Sequence, residues 1–239
     1  MSTNKLKNEQ TRFRINPDSD ARRRSLRYFF AAGVLLLGVY LSELFRLLKK
    51  PLFSKVYYGN LNTTFFALSA AAYIFLFILV FHRQIKQRLH ASPFQKHREP
   101  LSLSRKGILY LLTALPILLT AAMLNFRFKL IYELGERITG MSLLGNAVSY
   151  FLAAAKLFSA VYLIFLIEQG CSILFSSRPP VPLGGAAALL TFGVLELVFT
   201  GSAFRVLYAL LFLYDGILYL ISGRRFGITF ALALILYIL

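Results

Sequence analysis

The stretch from Gly145 to Phe175, GNAVSYFLAAAKLFSAVYLIFLIEQGCSILF, is apolar almost throughout and carries two groups that can be charged, Lys156 and Glu168. About 20 apolar residues suffice to cross the roughly 30 Å hydrocarbon core of a bilayer. A charge at membrane depth costs roughly 2.5–3.5 kcal/mol on insertion scales, so such groups usually face a protein interior or a water-filled cavity. The stretch predicts a membrane-spanning helix, and Glu168 is the first place to look for function.

Apolar runs of this kind recur along the chain, and 57% of its 239 residues are hydrophobic. Because the runs are continuous rather than alternating, they favour helices over the strands of a barrel. The predicted fold class is all-α, a polytopic transmembrane helix bundle of about seven spans in residues 28–239, behind a basic cytoplasmic tail in residues 1–27. The spans cover roughly 28–45, 61–81, 107–126, 145–175, 183–199, 206–222 and 226–239.

Three details of the spans carry structural expectations. The fourth span exceeds one straight crossing, so we expect a tilted helix or a short interfacial lead-in before Tyr150. Pro116 lies in the middle of the third span and should kink it, and a neighbouring helix must satisfy the carbonyl that the proline frees. Residues 127–139 are amphipathic and mixed in charge, and we expect them to lie along the membrane interface.

The formal net charge of +17 would suggest nucleic acid as a partner of a soluble protein. In a chain this apolar, Lys and Arg instead collect in cytoplasmic segments. With the N-terminus inside, 18 positive residues fall on inside segments and 8 on outside ones, leaving Lys156 aside. The sequence predicts a multi-pass protein of the plasma membrane with a cytoplasmic N-terminus. Its expected partners are membrane lipids, with anionic headgroups at the basic loops, and no nucleic acid.

Histidine and cysteine give no metal pattern. His82, His90 and His97 are the only histidines, and their spacings do not match the close pairs found on metal-binding helices. The single Cys171 excludes an intramolecular disulfide and a cysteine-built metal site. The chain has no Gly-rich phosphate loop, no nucleophile motif and no haem motif. We therefore expect no metal and no cofactor.

Spans four, five and six each carry one acid: Glu168, Glu196 and Asp215. Lys156 lies twelve residues before Glu168, about three helical turns, and we expect it roughly on the same face. One interpretation is a polar centre inside the bundle that binds a cation, relays protons or activates water. The alternative is a set of interhelical salt bridges and hydrogen bonds that specify packing. All four residues are candidates for binding, and Glu168 and Glu196 are the candidates for catalysis.

Two late segments, LIFLIEQGCSILFSSRPPVPLGGAAALLTFGVLELVF and LYDGILYLISGRRFGITFALALILY, resemble the core of the CPBP family. These are the CAAX-protease-like and bacteriocin-processing-like membrane proteins, also called Abi. The family core has a Glu-Glu-x-x-x-Arg motif ending one helix, a Phe-x-x-x-His motif on the next, and a late helix carrying His after a Tyr…Thr-Gly or Ser-Gly turn. Order, spacing and framing apolar residues agree over about the last ninety residues.

Most of the family's catalytic residues are replaced in this chain. Glu168 matches the first Glu of the Glu-Glu-x-x-x-Arg motif, and Phe192 matches the Phe of the Phe-x-x-x-His motif. Four positions depart from the pattern: Gln169 for the second Glu, Ile173 for the Arg, Glu196 for the first His, and Leu232 or a neighbour for the last His. Active members use two glutamates and two histidines to activate water for peptide hydrolysis. The resemblance therefore implies the family's fold and argues against its activity.

The sequence leaves three functions open. The first, which it favours, is a non-catalytic relative of membrane proteases that binds a membrane protein or peptide and acts as a scaffold, regulator or immunity factor. The second is a small cation- or proton-coupled transporter that uses the four intramembrane charges, although no inverted repeat is visible. The third is an active CPBP-type intramembrane endopeptidase with a rearranged Glu168–Glu196 pair, since two carboxylates can bind a hard cation.

Overall fold

The computed structural model describes residues 18–53, 59–94, 102–123, 143–175, 181–194 and 204–238. Within these ranges the chain is helical and contains no strand, which confirms the all-α class. One helix corresponds to each predicted span. The helices are α1 Ser19–Phe53, α2 Gly59–Leu89, α3 Leu103–Met123, α4 Leu143–Leu174, α5 Leu183–Ala188 with a π-helical continuation Leu189–Gly193, α6 Phe204–Ile221, and α7 Phe226–Ile238.

Three stretches within the described ranges are long and apolar enough to cross a membrane: Ser19–Ser42, Leu68–Leu89 and Tyr150–Leu174. They suggest a membrane protein. Helix α4 has 32 residues, or about 48 Å of helix, which exceeds the roughly 30 Å hydrocarbon core. The lead-in before Tyr150 is part of this continuous helix. The amphipathic segment 127–139, which we expect at the interface, lies outside the described residues.

Contacts between distant residues place alternate helix ends at one end of the bundle. Ser25 Oγ near the start of α1 donates a hydrogen bond of 2.9 Å to the Gly170 carbonyl near the end of α4. The rings of Phe94, after α2, and Phe226, at the start of α7, lie 5.1 Å apart. Because consecutive helices run in opposite directions, these contacts define an up-and-down bundle. We call this end, where α1 begins, the N-terminal end.

Helix α4 lies at the centre of the bundle and packs against α1, α2, α5, α6 and α7. Its residues 160–166 are all buried, so this part of the helix is covered on every side. A helix that is apolar all round is expected to be buried in this way. Aromatic rings fill the space between α4 and α7, with the Phe158 ring 5.1 Å from Phe226 and 5.3 Å from Phe230. The fourth predicted span is therefore also the structural core.

Glycines allow α5 to pack directly on the backbones of two neighbours. A Cβ at Gly184 would lie 2.7 Å from the Ile164 carbonyl oxygen of α4. A Cβ at Gly185 would lie 2.8 Å from the Gly216 Cα of α6. Such separations are too short for any side chain, and small residues are what permit helices to approach this closely. The Gly-Gly pair therefore places the start of α5 between α4 and α6.

Helix α3 runs through Pro116 without ending, and the structure supplies the partner that the proline requires. A proline removes the N–H that would bond to the carbonyl four residues earlier, which here belongs to Leu112. The Tyr214 hydroxyl of α6 donates a hydrogen bond to that Leu112 carbonyl. The prediction that a neighbouring helix satisfies the freed carbonyl is thereby confirmed. The bond also fixes the position of α3 relative to α6.

We predict that Tyr214→Phe lowers the free energy of unfolding by about 1–2 kcal/mol, because it leaves the Leu112 carbonyl without a donor. In a Pro116→Ala background the same change should cost less than about half as much, since the substituted alanine provides the N–H that proline lacks. Unfolding of the purified variants in detergent measures the loss of stability with Pro116 and with Ala at that position.

The matched control is Tyr110→Phe on α3, whose side chain is exposed and whose hydroxyl loss should change stability by less than about 0.5 kcal/mol. An equal cost of Tyr214→Phe with and without Pro116 would contradict this account of the bond.

Candidate functional site

Glu168 lies near the end of α4, where its side chain is only 1% exposed and meets the start of α5. Its Oε1 accepts a hydrogen bond of 2.9 Å from the backbone N–H of Gly184. Gly184 is the second residue of α5, and the first N–H groups of a helix have no partner within it. The residue at the N-cap, Pro182, makes no side-chain hydrogen bond to them. Glu168 therefore caps α5 from a different helix, where the helix dipole also favours negative charge.

The second oxygen of the carboxylate faces a cation. Arg224, in the turn between α6 and α7, places a guanidinium nitrogen 3.5 Å from Glu168 Oε2, and its side chain is 11% exposed. Breaking a buried ion pair by removing one partner leaves an uncompensated charge, which is strongly destabilising. Glu168 thus connects three parts of the fold: the end of α4, the start of α5 and the α6–α7 turn.

An unusual backbone conformation carries Arg224 to this position. The Gly223 N–H bonds to the Leu220 carbonyl at 3.1 Å, and the Arg224 N–H bonds to the Tyr219 carbonyl at 2.7 Å, which is the Schellman pattern of a helix end. Gly223 has a φ of 72° and Arg224 a φ of 64°. Positive φ is uncommon for a residue other than glycine and is held only by the surrounding structure. The ion pair with Glu168 is one contact that holds it.

The turn is also closed by hydroxyl groups. Ser222 Oγ and Thr229 Oγ1 lie 3.1 Å apart, and both residues are fully buried. The Ser222 hydroxyl also accepts the N–H of Arg225 at 3.3 Å, just before α7 begins. These bonds pair polar groups that would otherwise be costly to bury. They tie the end of α6 to the first turn of α7, and so they fix the segment that carries Arg224.

Asp215 is the second buried acid that the structure describes. It lies on α6 beside Gly216, close to the contact with α5, and is 1% exposed. Its Oδ2 has no hydrogen-bond partner among the described residues. Within those ranges it forms no hydrogen bond or ion pair with Glu168. The two acids are therefore both buried near α5 but do not form one carboxylate pair.

Of the other two candidates, Lys156 does not join this site. Twelve residues of the continuous helix α4 advance about 18 Å and three and one-third turns, which rotates Lys156 by about 120° from Glu168. The expectation that Lys156 and Glu168 share a face is wrong, because twelve residues exceed three full turns by a third of a turn. Glu196 lies outside the described residues. The cation beside Glu168 is Arg224.

Arg224 is not predicted as a partner of Glu168 from the sequence, because only the tertiary fold brings it to α4. A signal was present in the letters Ser-Gly-Arg-Arg, since a glycine directly after a helix often marks a left-handed end that redirects the chain. The resembled motif places an arginine at position 173, where Ile173 is partly buried and packs against the core. An arginine does stand beside Glu168, but it comes from a different segment.

His82 lies apart from this site, whereas Cys171 lies next to Glu168 on the same helix. His82 Nδ1 lies 3.1 Å from the Tyr162 hydroxyl. Tyr162 precedes Glu168 on α4 by six residues, or about 9 Å of helix. Cys171 is buried one turn after Glu168. In the part of the chain that the structure describes, no three His, Cys, Asp or Glu residues come close enough to hold a metal ion.

Comparison of the chain with protein-family models, with curated proteins and with solved structures gave no match. The CPBP resemblance of the last ninety or so residues stays a prediction. The function is therefore argued from the geometry around Glu168.

We predict that Glu168→Ala lowers the free energy of unfolding by about 3 kcal/mol, because it removes both the cap of α5 and the ion pair. Glu168→Gln should cost less, since its amide oxygen can still accept the Gly184 N–H. Combined with Arg224→Gln in a double-mutant cycle, Glu168→Gln should show a coupling of at least about 1 kcal/mol.

The matched control is Arg83→Gln, an exposed arginine at the same end of the bundle, which should change stability by less than about 0.5 kcal/mol and show no coupling to Glu168. Strictly additive effects of Glu168→Gln and Arg224→Gln would rule out the interaction as we describe it.

Proposed function

We propose that the protein is a non-catalytic, protease-like membrane protein that binds a membrane protein or peptide and acts as a scaffold, regulator or immunity factor. The observation that carries the proposal is that the chain itself engages Glu168, through a hydrogen bond at Oε1 and through an ion pair at Oε2, which has no hydrogen-bond partner among the described residues. A general base needs an oxygen within hydrogen-bond reach of the proton that it abstracts. Here Oε1 holds the start of α5, Oε2 faces Arg224, and the side chain is buried. These contacts favour a structural carboxylate over a catalytic one.

The surroundings of the last helix support the same proposal. Leu232 of α7 stands near the position where the CPBP pattern has its final histidine. In the structure it packs against a small apolar cluster formed by Leu109, Leu218 and Leu236. An apolar contact between α3, α6 and α7 provides neither a base nor a ligand for water activation. The helix therefore contributes packing where an active family member would contribute chemistry.

We further propose that the protein lies in the plasma membrane with its N-terminal end in the cytoplasm. Basic side chains gather at this end of the described helices, and cytoplasmic segments carry an excess of Lys and Arg. These residues are Arg22, Arg23, Arg24, Arg27, Arg83, Lys86, Arg88, Arg105, Lys106, Arg224 and Arg225. Asp18, Asp20 and Glu168 are the acids that accompany them in the described ranges. The charge at this end is strongly positive.

The orientation predicts a labelling pattern for single cysteines in a Cys171→Ser background. A membrane-impermeant maleimide added to intact cells should label Gly59→Cys, at the opposite end of the bundle, and leave His90→Cys unlabelled. Both positions should react after the membrane is permeabilised. Labelling of His90→Cys but not of Gly59→Cys in intact cells would show that the orientation is the reverse of the one we propose.

The non-catalytic proposal predicts no Glu168-dependent hydrolysis. The purified protein, reconstituted in lipid vesicles with membrane-spanning peptides, should give the same peptide mass spectrum as Glu168→Gln. It should still retain a membrane protein or peptide on crosslinking, because binding does not need the carboxylate as a base. Glu168→Gln is the appropriate variant, since it can keep the Gly184 hydrogen bond. Site-specific cleavage by the wild type that disappears in a folded Glu168→Gln protein would overturn the proposal.

A further inference from the structure

An open cleft lies at the start of α1, and its lining residues are not part of the Glu168 site. Its volume is about 500 Å³, and it is lined by Asp18, Asp20, Arg23, Arg24 and Arg27. All five side chains are exposed. Side chains on a helix lean toward its N-terminus, so the arginines extend toward the end of the bundle rather than toward its middle. The cleft therefore lies at the depth where snorkelling residues meet lipid headgroups.

The two acids in the cleft serve the helix itself. Asp18 Oδ1 accepts the backbone N–H of Asp20 at 3.0 Å, as a capping residue does at a helix start. Asp20 lies in the first turn of α1, where a negative charge is favoured by the helix dipole. Three guanidinium groups face these two carboxylates, so the cleft keeps an excess of positive charge. Guanidinium groups bind phosphate oxygens in a bidentate geometry, which makes a phosphate the best-matched ligand.

An exposed apolar stripe continues the same face of α1 away from the cleft. Leu26 is 68% exposed, Phe30 73%, Leu37 67% and Leu41 49%. Their spacing of four, seven and four residues keeps them on one side of the helix, together with Arg23 and Arg27. From Leu26 to Leu41 the helix rises about 22 Å, more than half of the roughly 30 Å hydrocarbon core. The face thus presents positive charge first and an apolar surface of leaflet length behind it.

We propose that this face of α1 is a binding site for an anionic glycerophospholipid. Arg23 and Arg27 on this face hold the headgroup phosphate, Arg24 reaches the same cleft from the adjoining side of the helix, and an acyl chain lies along the stripe from Leu26 to Leu41. The order of charge and apolar surface along the helix matches the order of headgroup and chain in such a lipid. The positive excess in the cleft favours an anionic headgroup over a zwitterionic one. The site goes beyond the proposed function, because it assigns a ligand whether or not the bundle hydrolyses peptides.

The test compares phosphatidylglycerol with phosphatidylcholine as spin-labelled probes of the full-length protein reconstituted in phosphatidylcholine vesicles. The first variant is the triple substitution Arg23→Gln, Arg24→Gln and Arg27→Gln. The matched control is Arg83→Gln, Lys86→Gln and Arg88→Gln, which removes the same charge from the same end of the bundle. We expect the wild-type preference for phosphatidylglycerol to fall about fivefold or more in the first variant and less than about twofold in the control.

Two outcomes would overturn the proposal. Equal losses in both triple variants would mean diffuse attraction to the basic end, with no site on α1. Displacement of phosphatidylglycerol by inorganic phosphate at about 10 mM would mean that the cleft takes soluble phosphate and that the apolar stripe contributes nothing. The single substitutions Arg23→Gln and Arg27→Gln provide a further measurement if the triple variant is poorly folded, and each should carry part of the loss.

Discussion

The carboxylate of Glu168 at the first turn of α5 is the contact on which the second half of the bundle depends. A buried carboxylate is unfavourable unless charges and hydrogen bonds around it compensate for lost water. The Gly184 N–H and the Arg224 guanidinium offset part of that cost, and they belong to two segments that α4 must hold in place. The close approach of α5 to α4, which only glycine allows, brings the N–H within reach. The hydrogen bond to Glu168 therefore depends on the close packing of α5 against α4.

Such an ion pair is better evidence for register than for stability, since apolar replacements of buried pairs are often as stable. Glu168 determines which residue begins α5, and a shift by one residue would rotate the helix by about 100°. The π-helical segment Leu189–Gly193 then adjusts that rotation, as π segments do at single turns within helices. It places the Phe192 ring 6.5 Å from Tyr40 of α1 and 5.7 Å from Phe212 of α6. The capped start and the π turn together orient α5.

The helices were predictable because hydropathy is a local property, whereas the partners of individual polar groups depend on the tertiary fold. The need of the Leu112 carbonyl for a donor follows from Pro116 alone, but its donor Tyr214 is 102 residues away. Glu168 was identified because a carboxylate in an apolar run is conspicuous. Arg224 was not, since a left-handed turn in the tertiary structure brings it to α4. Lys156 lies on the same helix as Glu168, but twelve residues exceed three full turns by a third of a turn, so the two side chains point about 120° apart.

The first turns of α1 connect the basic end of the bundle to the end of α4 that carries Glu168. Arg23 and Arg27 point outward from α1, while Ser25 between them is buried and bonds to the Gly170 carbonyl, two residues beyond Glu168. Because Ser25 and the two arginines belong to one short piece of helix, the position of the arginines at the basic end of the bundle is tied to the position of the end of α4. The Glu168–Arg224 pair therefore lies at the basic end of the bundle. In the function that we propose, this carboxylate fixes the helices against which a membrane partner docks and takes part in no reaction.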